Sequence, residues 1–187
     1  VGLEVPPRRR GQKQKNERKA RRATRGEVAM SDDPRERSAR VKRHARAAGF
    51  DLVGITGTSV PEAFARFSRQ MDAGYGAAMD WLLELPEQRE DVTRVWPEAR
   101  SVIVLGVSYA TNEPGYLSAP PTPEEGWIAR YAQGRDYHVV VRRMLVNLVR
   151  RLEDDDGLGG IASERHRIFV DTGPVLEKAF AQAAGLG

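Results

Sequence analysis

The chain has 187 residues, which suits one domain better than two. It contains no cysteine, so it offers no disulfide, no thiolate for zinc or an iron–sulfur cluster, and no thiol nucleophile. The formal charge of +4 is unevenly spread: residues 1–29 hold 10 Lys+Arg against 3 Asp+Glu, whereas the remaining 158 residues hold 20 against 23. Any charge-based argument for nucleic-acid binding therefore rests on the N-terminal segment, the rest being mildly acidic.

Residues 1–29 have almost no large apolar side chains to offset the entropy of folding, and they read as a disordered basic tail. Met30, where the charge pattern changes, is the expected start of the native protein, with a domain over 30–187. The basic start is not followed by an apolar stretch, so no secretory signal is readable. The longest apolar run, Val102 to Val107, falls far short of the roughly 20 residues that span a bilayer. A soluble, cytoplasmic, monomeric protein without membrane contact is expected.

Ser31-Asp32-Asp33-Pro34 is a helix-start signature, and the helix should run from Pro34 to Ala48 and end at Gly49. Phe50–Ile55 reads as a short strand. Pro61–Ala73 predicts a second helix, with Phe64, Phe67 and Met71 at helical spacing. A third helical piece is expected over Ala77–Leu85, stopped by Pro86 and followed by a polar stretch through Arg94. Ser101–Tyr109 (SVIVLGVSY) predicts a strand buried on both faces. Residues 110–126, with four Pro and two Gly, predict a long loop of the kind that is often functional. Asp136–Leu152 predicts a helix with one apolar face, Glu153–Gly160 a turn, Arg167–Val170 a strand and Val175–Ala184 a last helix. Helices and strands alternate, so the fold class is α/β.

Two places carry chemistry. Asp171 follows the expected strand and stands just before a helix, where a partly dry carboxyl could have a raised pKa and donate a proton. An N-cap role for Asp171 or Thr172 is the competing reading, and the residues alone favour it. Residues 127–138 (WIARYAQGRDYH) hold three aromatics, two arginines, an Asp and a His, a set suited to a flat anionic or conjugated ligand. An ordinary helix start with solvated arginines explains the same residues equally well. His138, His44 and His166 lack metal-ligand spacing. Arg89, in PEQREDVTR, reads as a solvated charge or an anchor for an amide- or phosphate-bearing ligand.

Three segments, PEQR through WPEARSVIVLGVSY, then IARYAQGRDYH, then FVDTGPVLEKAFAQAAGLG, together resemble the N-terminal, cobalamin-binding part of epoxyqueuosine reductases over about residues 35–187. The resemblance implies the last step of queuosine synthesis, reduction of epoxyqueuosine at the tRNA wobble position. It implies a single-layer mixed sheet flanked by helices, related to flavin-reductase-like folds. It implies cobalamin as the reactive centre and two [4Fe-4S] clusters as the electron source. By the same resemblance Asp171 is the proton donor. Arg89, Ala129, Arg130, Gly134, Arg135, His138 and Asp171 are then cobalamin-binding, and tRNA is the partner. The cluster ligands of that family are absent here, and the chain stops inside AGLG. A fragment truncated before the iron–sulfur domain is therefore expected. A non-catalytic RNA- or corrinoid-binding module is the alternative, and a flavin-binding domain ranks third.

Overall fold

The computed structural model describes residues 33–110, 122–124, 126–158 and 165–187. The tail over 1–29, most of the loop at 110–126 and the end of the turn at 153–160 lie outside the described residues. The described elements are helix α1 (Pro34–Ala47), strand β1 (Leu52–Thr56), helix α2 (Pro61–Asp72), short helix α3 (Pro86–Glu90), strand β2 (Val102–Gly106), helix α4 (Tyr137–Glu153) and helix α5 (Glu177–Ala183).

Strands β1 and β2 pair antiparallel, Leu52 opposite Gly106 through Thr56 opposite Val102. The period-two alternation of a strand divides their side chains between two cores. Val53, Ile55, Ile103 and Leu105 join Val41, Ala45, Phe50, Leu148 and Leu152 on the side covered by α1 and α4. Val102 and Val104 join Phe180, Val92, Val60 and Ala99 on the side covered by α5. The small sheet is thus the middle layer of three. Gly54 faces α5, and a Cβ there would lie 2.6 Å from Ala184 Cβ and 2.9 Å from Ala184 O, so only glycine admits the helix this close.

The local chemistry of α1 is as its sequence dictates. Asp33 caps it, its carboxylate accepting the Arg35 N–H at 2.9 Å, and Pro34 occupies the first turn. Gly49 takes the left-handed conformation (φ 101°) that lets the chain turn into β1.

Several expectations need correcting. The described sheet is two-stranded and antiparallel, not mixed. Residues 167–170 do not form a strand: Ile168 and Val170 are buried, but only Ile168 makes a bridge. Apolar alternation gives these residues burial, but among the described residues no strand lies alongside to continue the ladder. Strand β2 is half-buried along its length rather than fully enclosed. The helix expected at 77–85 shrinks to one 3-10 turn, Asp80–Leu82. Ala77 (φ 47°) and Leu85 (φ 52°) both sit in the left-handed region, and Pro86 bars Leu85 from helical geometry. Pro86 does not merely end a helix; it begins α3 in the polar stretch read as a loop.

A polar clamp fastens α1 to the residues after α4. The Asp155 carboxylate accepts from Arg40 Nη1 at 3.1 Å and from the Gly157 N–H at 2.9 Å, and it lies 2.7 Å from His44 Nε2. Burial pushes this carboxyl up, but the His44 contact, the Gly157 N–H and Arg40 outweigh burial and hold it below its ordinary value. A depressed native value stabilises the fold above the ordinary carboxylate pKa, and that contribution is lost as pH falls through the native value. Asp155→Asn is therefore expected to cost about 1–3 kcal/mol at neutral pH and to flatten the acid limb of a Tm-against-pH curve. Thermal melts by circular dichroism from pH 7 down to pH 3 check this; an unchanged acid limb would show the clamp to be energetically idle.

Candidate active site

The segment 165–176 and the start of α4 meet around Asp171. Asp136 caps α4, its Oδ1 accepting the His138 N–H at 2.9 Å and lying 2.8 Å from His138 Nδ1. The side-chain contact with His138, then the backbone one, lowers the Asp136 carboxyl. The cap sets the direction of the next residue, Tyr137, whose hydroxyl donates to Asp171 Oδ2 at 2.5 Å. Asp171 sits at φ 51°, a conformation that Asp adopts more readily than most residues, at a cost on the order of 1–3 kcal/mol. Its own N–H donates to Glu177 Oε1 at 3.1 Å, which brings the two carboxyls close enough to act on each other's charge.

The N-cap reading of Asp171 does not hold. Helix α5 begins at Glu177, its N-cap position is Leu176, and no side chain caps it. Nor is the Asp171 carboxyl raised, as the sequence suggested. Hydrogen bonds from Glu177 and Tyr137 hold it below the ordinary value despite partial burial. The raised carboxyl is Glu177. Burial first, then the hydrogen bond and charge of Asp171, push it up to about 7. Tyr137 is pushed up to about 12, chiefly because its proton is committed to Asp171. The arrangement is a two-carboxyl cluster holding one proton near neutral pH, with the exposed member carrying the charge.

An aromatic ladder runs from this cluster. The Tyr137 ring lies 4.1 Å from the His138 ring and meets Tyr131 edge-on at 5.5 Å; Tyr131 meets Tyr109 edge-on at 5.9 Å. Tyr109 and Tyr131 of this ladder are exposed, as are Val107, Trp127 and Ile128 nearby in the sequence. Ala129 precedes the 3-10 turn Arg130–Ala132 and its carbonyl accepts from the Ala132 N–H. Arg130 Nη1 donates to Gln133 Oε1 at 3.2 Å, and Gln133 Nε2 donates to the Ile128 carbonyl at 2.8 Å, which fixes the loop. Arg135 is exposed, and Gly134 has open space where a Cβ would stand.

Arg89 lies elsewhere in character. It is only 6% exposed, not a solvated charge. Its Nη2 donates to the Trp81 carbonyl at 2.9 Å and its Nε to the Glu84 carbonyl at 3.3 Å, with the guanidinium 5.8 Å from the Phe67 ring centroid and 5.6 Å from that of Trp81. Burial lowers its pKa against the opposing charge of Glu84. Arg89 thus ties the 80–85 turn to α3. Among the described residues no three His, Cys, Asp or Glu side chains converge as a metal site, and no helix is long and apolar enough to cross a membrane.

A family model described as "Epoxyqueuosine reductase QueG, DUF1730" matches residues 89–172, a span that holds both Tyr137 and Asp171. Over that span the chain resembles the epoxyqueuosine reductase family. Proteins named epoxyqueuosine reductase from Gloeobacter violaceus, Pseudomonas aeruginosa and Escherichia coli are 41%, 36% and 31% identical to it over 153, 155 and 148 residues. Those alignments cover 80%, 83% and 79% of this chain but 44%, 42% and 38% of the relatives, so the chain spans about two-fifths of their length. No solved structure matches it.

Glu177 was missed in reading the sequence. An acid in the first turn of a helix is an ordinary complement to the helix dipole. The available signal was its place six residues after a carboxylate in an irregular DTGPVL segment, where a side chain can reach back to Asp171.

Proposed function

We propose that this chain provides the proton-delivering, cobalamin-binding part of an epoxyqueuosine reductase acting on tRNA in the cytoplasm. The observation that carries the reading is the Asp171–Tyr137–Glu177 cluster at the edge of an exposed aromatic surface, with Tyr137 and Asp171 inside the family-matched span. Conversion of an epoxide to an alkene consumes two electrons and two protons and releases the oxygen as water. Cobalamin, when bound, supplies the reducing centre. The residues present fit such a group: Tyr109, Tyr131 and Ile128 offer exposed apolar area to a broad ring system, and Gly134 leaves room beside it.

The protein's own part is protonation and positioning. Asp171 is the exposed carboxyl and so the one within reach of a departing oxygen. Tyr137 fixes its Oδ2, and Asp136 with His138 fixes Tyr137 by holding the start of α4. Covering the cluster with a large apolar ligand would desolvate Asp171 and favour its neutral form, ready to donate. Ala129, Arg130, Gly134, Arg135 and His138 line the same loop and helix start as candidate cofactor contacts. Arg89 supports the reading only by shaping the 80–85 turn, because its engaged donors face carbonyls. With no cysteine in the chain, electrons reach the site from outside these 187 residues.

The test is to incubate the chain with cobalamin, titanium(III) citrate and tRNA carrying epoxyqueuosine, then digest and weigh the nucleosides. Cobalamin-dependent appearance of queuosine is expected. Intact epoxide despite bound cobalamin would reduce the chain to a corrinoid-binding module.

Helix α4 also supports a polyanionic partner. Val139, Arg142, Arg143, Val146 and Arg150 share one face, and no acid occurs between His138 and Arg151. This face leads away from Tyr137 for about 16 Å, at 1.5 Å per residue. Replacing both Arg142 and Arg150 with Glu is expected to weaken tRNA binding and to reduce the log–log salt slope by about 2, one phosphate contact per arginine. Filter binding between 50 and 300 mM salt measures it; an unchanged slope would remove this face from the interface.

A further inference from the structure

We infer that Glu177 is a positioning residue for Asp171, storing the proton that Asp171 delivers and holding the Asp171 backbone in its left-handed turn. The inference rests on the reading of Asp171 as the acid and adds the source of its proton.

Three contacts carry it. The Glu177 side chain reaches back from the first turn of α5 to accept the Asp171 N–H at 3.1 Å. The same carboxyl bears on the charge of the Asp171 side chain, and Tyr137 occupies Asp171 Oδ2. Glu177 is half-buried whereas Asp171 is exposed, so the pair has a dry inner member and an outer member facing any ligand.

Two neighbouring carboxyls cannot both be charged cheaply, and the drier one retains the proton. Consistently, Glu177 is raised to about 7 while Asp171 is lowered. An acid that is ionised at rest needs a proton before it can give one. The proton passes from Glu177 to the Asp171 carboxylate, and Asp171 releases it to the departing oxygen. Glu177 is left as a carboxylate, stabilised by the Asp171 N–H, and is reprotonated from water. The ionisable groups bearing on the pair are Tyr137 and His138 of α4, with Tyr131 and Asp136 acting on Tyr137. Tyr137, raised to about 12, stays protonated throughout and keeps Asp171 oriented.

The test is carbon-13 NMR of the full chain labelled at Asp and Glu carboxyls, titrated from pH 3 to 9. One Glu resonance titrating near 7 is expected, absent in Glu177→Gln. In Asp171→Asn, where the neighbouring charge is gone, that resonance should move to lower pH. The cobalamin-loaded protein with Glu177→Gln should show kcat lowered on the order of tenfold at pH 7 with KM unchanged, and Glu177→Asp should recover part of it. A Glu177 that titrates as an ordinary carboxylate, unmoved by Asp171→Asn, overturns the inference and leaves the reading of Asp171 standing. Full turnover in Asp171→Asn overturns both. If Glu177→Gln does not fold, the Asp171→Asn titration decides, since it leaves position 177 intact.

Discussion

Asp171→Asn is expected to lower turnover of the cobalamin-loaded protein by roughly 10²–10⁴-fold, the usual contribution of a general acid, while leaving cobalamin affinity within about threefold. The asparagine keeps the shape of the side chain and can still accept the Tyr137 hydroxyl, so the loss isolates proton delivery from folding. The same substitution has a second consequence. Tyr137 is raised to about 12 mainly by its hydrogen bond to the Asp171 carboxylate. A neutral partner removes that charge, and Tyr137 should ionise at lower pH, visible as tyrosinate absorbance. A folded Asp171→Asn protein with undiminished turnover would transfer the acid role to another group.

Phe180→Ala is expected to destabilise the domain by about 3–5 kcal/mol, lowering Tm on the order of 10 °C. Phe180 is 1% exposed, the most buried large side chain described, and it pins α5 against Val102 and Val104 of the sheet. Gly54 lets α5 approach from the other partner's side, so Gly54→Val should loosen the same contact by forcing Ala184 away. The link to the site is short. Glu177 lies one helical turn before Phe180, and a helix that shifts on the sheet carries Glu177 away from Asp171. Thermal melts and activity should therefore fall together in Phe180→Ala. A Tm within about 2 °C of the parent would contradict the packing account.

The sequence was most legible where local chemistry and burial agree. Asp33 and Asp136 were readable as helix starts because a short acceptor side chain before an amphipathic run has few competing uses. The residues alone suggested a pocket formed by 127–138 and 171, but not the Tyr137–Asp171 hydrogen bond, since no local rule pairs side chains 34 positions apart. Arg89 escaped because a charged residue in a polar stretch gives no sign that two carbonyls and two rings will enclose it. Residues 167–170 have the apolar alternation of a strand, and pairing depends on a neighbour that the segment itself does not specify. Glu177 escaped because its value lies in a reach back around the Gly173–Pro174 turn. That turn is itself tightly constrained: a Cβ on Gly173 would lie 2.2 Å from Phe169 Cδ1.

The stability of the site also has a pH signature with its own sign. Glu177 is raised from 4.5 to about 7, so the folded state holds a proton that the unfolded chain has released between those values. Stability contributed by this group therefore falls as pH rises from 4.5 to 7, opposite to the acid-limb effect of Asp155. The site gives up stability at neutral pH to keep a proton beside Asp171, a cost typical of functional carboxyl pairs.

The most direct test of the account is titration of the purified chain with cob(II)alamin, followed by visible absorption and electron paramagnetic resonance. A saturable spectral change is predicted, weakened by Tyr131→Ala and retained in Asp171→Asn, which places the corrinoid on the aromatic surface beside the acid. A spectrum unchanged at saturating protein, from a chain shown to be folded by circular dichroism, would contradict the claim that this surface is a cobalamin site.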